Sequence, residues 1–183
     1  MRGDLQSARL HLRAPAPSDE RLYCALYTDP HVMRHVATPL SPEAAQRAFR
    51  TVLRQLAADP PQAQYWILVP RTGRAALGLM ACMPDRDDPG SAEVGVLLRG
   101  HAEGQGYAAE ALAALANEAF AAPGLQCLRV RHARGNGLAA GLMRKLGFAP
   151  VDDARGDDAH MRWELQRQAW PLRAVFASPP PSC

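Results

Sequence analysis

Arg99-Gly-His-Ala-Glu-Gly-Gln-Gly-Tyr-Ala-Ala-Glu-Ala-Leu112 is the stretch whose reading decides the fold. It follows an apolar run, Val94-Gly-Val-Leu-Leu98, and ends inside an alanine-rich segment with helical spacing. A strand therefore feeds a glycine-containing turn that opens directly into a helix. Gly104 and Gly106 allow a sharp bend and place no Cβ between the main-chain N–H groups and a ligand. The first N–H groups of a helix lack internal partners and carry the positive end of its dipole, so a phosphate fits there. The turn reads as a pyrophosphate site for a nucleotide-like cofactor; a plain tight turn is the competing reading.

The strand before the turn is the last of three. Tyr65–Val69, Ala76–Met80 and Ala92–Leu98 alternate with short polar turns, which predicts an antiparallel meander. On the other side, a helix is expected from about Gly106 to Phe120, with Ala108, Leu112, Leu115, Ala116 and Ala119 on its inner face. Gln126–Arg131 is the next strand, and strand–helix–strand implies one parallel crossover. Leu138, Leu142 and Leu146 mark a short apolar helix face that Gly147 closes, and His160–Leu165 reads as the last strand. Toward the N-terminus, Arg9–Arg13 alternates as a strand, and Ser18 is a candidate cap for the helix that carries Leu22, Ala25 and Leu26. Ser41-Pro-Glu43 opens the clearest amphipathic helix, with Ala45, Ala48, Phe49, Val52, Leu53 and Leu56 on one face. The expected fold is α+β: a mixed, mostly antiparallel central sheet with one parallel βαβ crossover and helices on both faces. Residues 1–168 form a single domain, and residues 169–183, with three prolines in a row, form a C-terminal tail expected to be mobile.

Composition bounds the function. The chain has 183 residues, 48% hydrophobic and 21% charged, which suits one globular domain with a substantial core. A net charge of +3 is too small for a nucleic-acid partner. No apolar run is long enough to span a membrane, and the N-terminus lacks the apolar core of a signal peptide, so no membrane partner is expected. Cys24, Cys82, Cys127 and Cys183 are scattered with no Cys-x-x-Cys pair, which predicts reduced thiols, no metal site and a cytoplasmic location.

Gly104, Gly106 and Ala109 also satisfy a dinucleotide fingerprint. The order of elements argues against that fold, since the fingerprint follows a meander instead of opening the first of several βαβ units. The acidic residue expected about 20 positions on is missing too; the next strand runs into Arg131-His-Ala-Arg134.

Three pieces in order, Ala92-Glu-Val-Gly-Val-Leu-Leu98, Gly104-Gln-Gly-Tyr-Ala-Ala-Glu-Ala-Leu112 and Asn136 ahead of Leu146-Gly-Phe148, resemble the GNAT N-acetyltransferases. With Asp29-Pro-His-Val-Met-Arg34 and Ser41-Pro-Glu43, the resemblance extends to the branch containing the ribosomal-protein N-terminal acetyltransferases. The likeness implies acetyl-CoA as co-substrate. It implies that Val94, Val96 and Leu98 hold the pantetheine arm through backbone groups. It places the pyrophosphate on Arg99, Gly104, Gln105, Gly106, Tyr107 and Ala108, with Asn136 beside the cofactor or simply capping its helix. It makes Arg144 and Lys145 candidates for contact with the outer phosphate; solvated surface charges near a helix end are the alternative. Two positions depart from the pattern: His101 replaces a common Arg or Gln, and Ala139 replaces a common serine, which leaves the general acid unassigned.

Acyl transfer to an amine requires a neutral amine, an in-line thioester and donors for the developing oxyanion. Main-chain N–H groups of Val94–Leu98 are available for the oxyanion if that strand is bulged. Glu93, at the mouth of the strand, is the candidate base; a solvent-facing strand residue is the alternative. A free α-amine has a pKa of about 7.7–8.0 and a lysine about 10.4, so neutralising them at pH 7 costs about 1 and about 4.6 kcal/mol. The α-amine is the easier acceptor for a site with one base. Asp85, Asp87 and Asp88 would attract a cationic acceptor or form a solvated turn, and Tyr27, Phe49 and Trp66 are candidates for the acceptor pocket or for the core. The expected activity is acetyl transfer from acetyl-CoA to a primary amine, a peptide N-terminus or a small molecule. The alternative is a non-catalytic acyl-CoA sensor, and the chain is expected to be a monomer or homodimer.

Overall fold

The computed structural model describes residues 3–59, 61–73, 75–121, 123–151 and 159–171. Eight strands form one sheet: β1 (Leu5–Gln6), β2 (Leu10–Arg13), β3 (Gln64–Pro70), β4 (Gly78–Pro84), β5 (Ser91–Leu98), β6 (Cys127–Ala133), β7 (Ala149–Val151) and β8 (His160–Gln166). Their order is β1-β2-β3-β4-β5-β6-β8-β7. Every neighbouring pair is antiparallel except β5–β6. The helices are α1 (Glu20–Thr28), α2 (Pro30–Met33), α3 (Pro42–Ala57), α4 (Tyr107–Ala121) and α5 (Gly137–Lys145). The mixed sheet with one parallel crossover is the architecture the sequence predicts.

Strand alternation divides the core in two. Leu10, Leu12, Trp66, Leu68, Met80, Val94, Leu128 and Trp163 join the side chains of α4 and α5 on one face. Tyr65, Ile67 and Leu79 meet Leu22, Tyr23, Leu26, Phe49 and Val52 of α1 and α3 on the other. Phe49 and Trp66 are thus core residues, 1% and 3% exposed. In α3, Ser41 accepts from the Ala44 N–H as the expected cap, and Ala45, Phe49 and Val52 form the buried stripe. In α4 the alanines allow burial on nearly every side: Ala109, Ala111, Ala113, Ala116 and Ala119 are all at most 4% exposed. Ala108, expected on the inner face, is only half buried, so that face starts one residue later than the sequence suggests.

Ser18 does not cap α1. Pro17–Asp19 form a single 3-10 turn, and α1 begins at Glu20. Asp19 instead accepts from both terminal nitrogens of Arg13, at 2.7 and 2.8 Å, and from the Ala16 N–H at 2.8 Å. Burial by itself raises the Asp19 carboxyl; the Arg13 guanidinium and the Ala16 N–H outweigh it and hold it below the usual carboxylate range. Because the folded pKa is depressed, the stability it contributes is complete above the unfolded value. It is lost as pH falls through the folded one. Asp19→Asn is therefore expected to lower Tm at neutral pH and to flatten the loss of Tm between about pH 5 and pH 2; thermal melts across that range check it.

β4 starts at Gly78, two residues later than expected, and runs to Pro84. A Cβ at Gly78 would lie 2.1 Å from the Leu97 carbonyl oxygen, so only glycine lets β4 and β5 approach there. At the other end of the chain, Trp170 lies beyond the expected domain boundary yet is buried, and its indole N–H donates to Asn117 Oδ1 at 2.8 Å. Residues 172–183 of the expected tail lie outside the described residues.

Candidate active site

β5 and β6 pair only at Ser91–Cys127, Ala92–Leu128 and Glu93–Arg129. Beyond Glu93 the two strands part, while β5 stays paired with β4 and β6 with β8. The Asp85 N–H donates to the Ser91 oxygen at 2.9 Å, and the Arg99 N–H to the Leu77 oxygen at 2.8 Å. These bonds lie at opposite ends of the β4–β5 ladder, one at Ser91 and one at Arg99 just past Leu98, so the odd-numbered residues of β5 face β4. Antiparallel alternation then turns the N–H and C=O groups of Val94, Val96 and Leu98 toward the opening. The register runs unbroken from Gly78–Leu98 to Pro84–Ala92, so β5 has no bulge. The expected bulge is thus replaced by divergence of the neighbouring strand, which exposes the same amides.

A groove occupies the opening. Its inner part, a cavity of about 340 Å³, is lined by Glu93 and Val94 with Tyr27, Met83, Arg131 and His160. Its outer part, about 320 Å³, reaches Leu98, Gly104, Gly106, Leu138 and Lys145. Val96, Ala108, Asn136 and Ala139 border both parts. Small side chains at the first turns of α4 and α5 keep the groove open.

The outer part ends at the glycine turn. Gly104 and Gly106 have φ of +72° and +83°, a region that favours glycine. The first helical bond of α4 joins the Glu110 N–H to the Gly106 oxygen. The N–H groups of Tyr107, Ala108 and Ala109 therefore have no acceptor within the helix. Lys145 adds a positive charge. Arg34, also on this wall, is engaged by Glu103 at 3.0 Å. Burial raises the Glu103 carboxyl, but Arg34 and His31 outweigh it and keep it low. Unpaired strand amides, a glycine turn and a free helix start fit an extended thiol arm carrying a diphosphate.

Of the cofactor residues expected from sequence, Val94, Val96, Leu98, Gly104, Gly106, Ala108 and Asn136 line the groove. The side chains of Arg99, Gln105 and Tyr107 do not. The buried Arg99 Nε has no hydrogen-bond partner. Gln105 folds back to donate to the His101 oxygen at 2.6 Å, and Tyr107 lies under the guanidinium of Arg9. Asn136 Oδ1 accepts from the Ala139 N–H at 3.0 Å, the capping role, which leaves its amide N–H₂ beside the groove. Arg144 stacks over the Trp163 ring at 5.6 Å and is not a groove residue. Leu138 is 73% exposed, so the apolar face expected for α5 is partly groove wall.

At the inner end Glu93 is exposed on the face opposite α4. His132, also on the wall, is committed elsewhere: Trp163 Nε1 donates to its Nε2 at 2.9 Å, and its Nδ1 faces the Ala133 oxygen at 2.8 Å. An indole N–H only donates, so Nε2 accepts and Nδ1 carries the proton. This histidine has no free lone pair for a substrate. Burial pushes the Tyr27 phenol up, keeping it a neutral hydroxyl. Asp85 and Asp88 are held low, first by the Asp87 N–H and by the Ser91 hydroxyl respectively, and both also pair with Arg129. They brace a turn against β6, which leaves Asp87 as the acidic residue of that loop without a charged partner among the described residues.

Residues 9–149 match the acetyltransferase (GNAT) domain family. The chain belongs to the GNAT acetyltransferase family. Among solved structures, this GNAT domain superposes on an acetyltransferase from Agrobacterium tumefaciens with a TM-score of 0.75 at 23% identity, covering 91% of this chain and 95% of that one. It superposes on spermidine N-acetyltransferase from Vibrio cholerae, solved with CoA and spermine, with a TM-score of 0.74 at 16% identity, covering 87% and 96%. For RimL, a ribosomal L7/L12 alpha-N-protein acetyltransferase, the TM-score is 0.72 at 15% identity, covering 89% and 93%. At these identities the likeness establishes the fold. No curated protein sequence matches the chain. Among the described residues no helix is long and apolar enough to cross a membrane, and no group of three or more His, Cys, Asp or Glu residues is arranged to hold a metal.

Proposed function

We propose that this GNAT domain transfers an acetyl group from acetyl-CoA to a primary amine by direct attack on the thioester. The parting of β5 and β6 carries the reading. It leaves the Val96 and Leu98 amides, and the carbonyl of Val94, without a partner strand along a groove that ends at Gly104–Gly106 and the start of α4. The arm lies along β5, and the diphosphate takes the N–H groups of the turn and the charge of Lys145. The thioester then falls near Val96 and Asn136, where a β5 N–H donates to the oxyanion. The amine enters from the Met83 and Glu93 end and gives its proton to Glu93, directly or through one water. The thiolate is released toward bulk solvent, since Ala139 supplies no hydroxyl.

The acceptor we favour is a peptide or protein N-terminal α-amine, in line with the ribosomal-protein branch that the sequence resembles. A single exposed carboxylate is an adequate base for an amine of pKa about 8 and a poor one for lysine. The Vibrio cholerae neighbour acts on a polyamine, which makes spermidine the first small-molecule competitor to include.

CoA release measured with acetyl-CoA against peptides, spermidine and other small amines tests this. Release accelerated by at least one α-amine, rising toward pH 8, is the expected result. Stabilisation by acetyl-CoA with no acceleration by any amine would leave a non-catalytic acyl-CoA sensor.

A further inference from the structure

Arg9 lies just ahead of β2, outside the groove, and nothing local in the sequence marks it out. Its guanidinium nevertheless reaches the cofactor turn from behind. Nε donates to the Glu110 carboxylate, and one terminal nitrogen donates to the Gln105 oxygen at 2.9 Å. The guanidinium carbon stands 4.5 Å from the centre of the Tyr107 ring. The Arg9 main-chain N–H and the Ser7 hydroxyl both donate to the second Glu110 oxygen, at 3.2 and 2.8 Å. A Cβ on Gly106 would lie 3.3 Å from the Arg9 fork.

We infer that Arg9 is a positioning residue for the diphosphate, acting through the Gln105 carbonyl and the Glu110 carboxylate; this rests on the acyl-CoA reading above. In a trans peptide the C=O of one residue and the N–H of the next point in opposite directions. Holding the Gln105 oxygen on the Arg9 side therefore turns the Gly106 N–H away from Arg9, toward the groove that Gly106 lines. Two glycines make the turn soft. The clamp orders it before a ligand arrives, so less conformational freedom is lost on binding. Glu110, 3% exposed in the first turn of α4, would otherwise set an unpaired negative charge beside the diphosphate. Arg9 neutralises that charge without occupying the groove.

Arg9→Lys keeps a positive charge near Glu110 but cannot fork between two acceptors. The pair Arg9→Met with Glu110→Gln removes both charges, so that no buried carboxylate is stranded, and frees the Gln105 carbonyl. Kd is measured for CoA by calorimetry and for pantetheine, which has the arm without the diphosphate, by ligand-observed NMR into the millimolar range. Both variants are expected to bind CoA about tenfold more weakly while pantetheine stays within about twofold. Unchanged CoA binding, or equal weakening of both ligands, overturns the role, the second outcome indicating general loosening of the fold. A wild type that binds neither ligand overturns the acyl-CoA reading itself and this role with it.

Discussion

Glu93→Gln is expected to lower kcat by about 10²- to 10⁴-fold, the range that a positioned general base contributes. KM for acetyl-CoA should be unchanged. The substitution preserves the shape of the side chain and does not alter the amides of Val94, Val96 and Leu98 that face the groove. The surroundings concentrate the effect on this one carboxylate. Its parallel neighbour Arg129 is already held by Asp85, Asp88 and Glu164, so it does not neutralise Glu93. Of the histidines that line the inner part of the groove, His132 has both ring nitrogens engaged. In steady-state assays across pH 6–9 with the best amine acceptor, the variant should lose most of its turnover. Equal turnover in variant and wild type throughout that range would remove Glu93 as the base.

A comparable loss is expected from Ala139→Trp, by occlusion and not by chemistry. Ala139 borders both parts of the groove, opposite the first turn of α4, and only its methyl group occupies the space there. An indole at that position projects between β5 and α5, where the arm would lie. Acetyl-CoA affinity should fall by about 100-fold or more, equivalent to about 2.7 kcal/mol. Because the side chain fills open groove and not packed core, stability should change by no more than about 0.5 kcal/mol. Calorimetric titration together with a thermal melt separates the two effects. Full affinity in a folded variant would mean that the ligand lies elsewhere.

The residues that the site uses were legible to different degrees. The glycine turn, the strand before it and the helix after it could be read locally, because each depends on a few consecutive residues. Asn136 could be read as a cap for the same reason, and Gly147, with φ of +82°, ends α5 as expected. Arg99, Gln105 and Tyr107 were attached to the turn by resemblance, but their side chains lead away from the groove. Whether a side chain follows its backbone depends on competing partners, here His101 for Gln105 and Arg9 for Tyr107. The arginine partners of the acidic turn and of Asp19, which takes part where Ser18 is expected to cap, escape a local reading for the same reason. Asp85, Asp88 and Asp19 each answer to an arginine on another element.

From the sequence by itself came the α+β class, the meander, the single parallel crossover and the place of the glycine turn. Those are properties of hydrophobic period, turn residues and caps, all set within a few positions along the chain. Tertiary structure alone decided that β8 inserts between β6 and β7, that β6 leaves β5 after Glu93, and that Arg9 and Glu110 meet across a separation of 101 residues. Strand order and long-range ion pairs are settled by which faces and charges the packed core brings together, and no local pattern encodes that choice. The groove exists because a pairing stops, and the stopping point is a property of two strands at once.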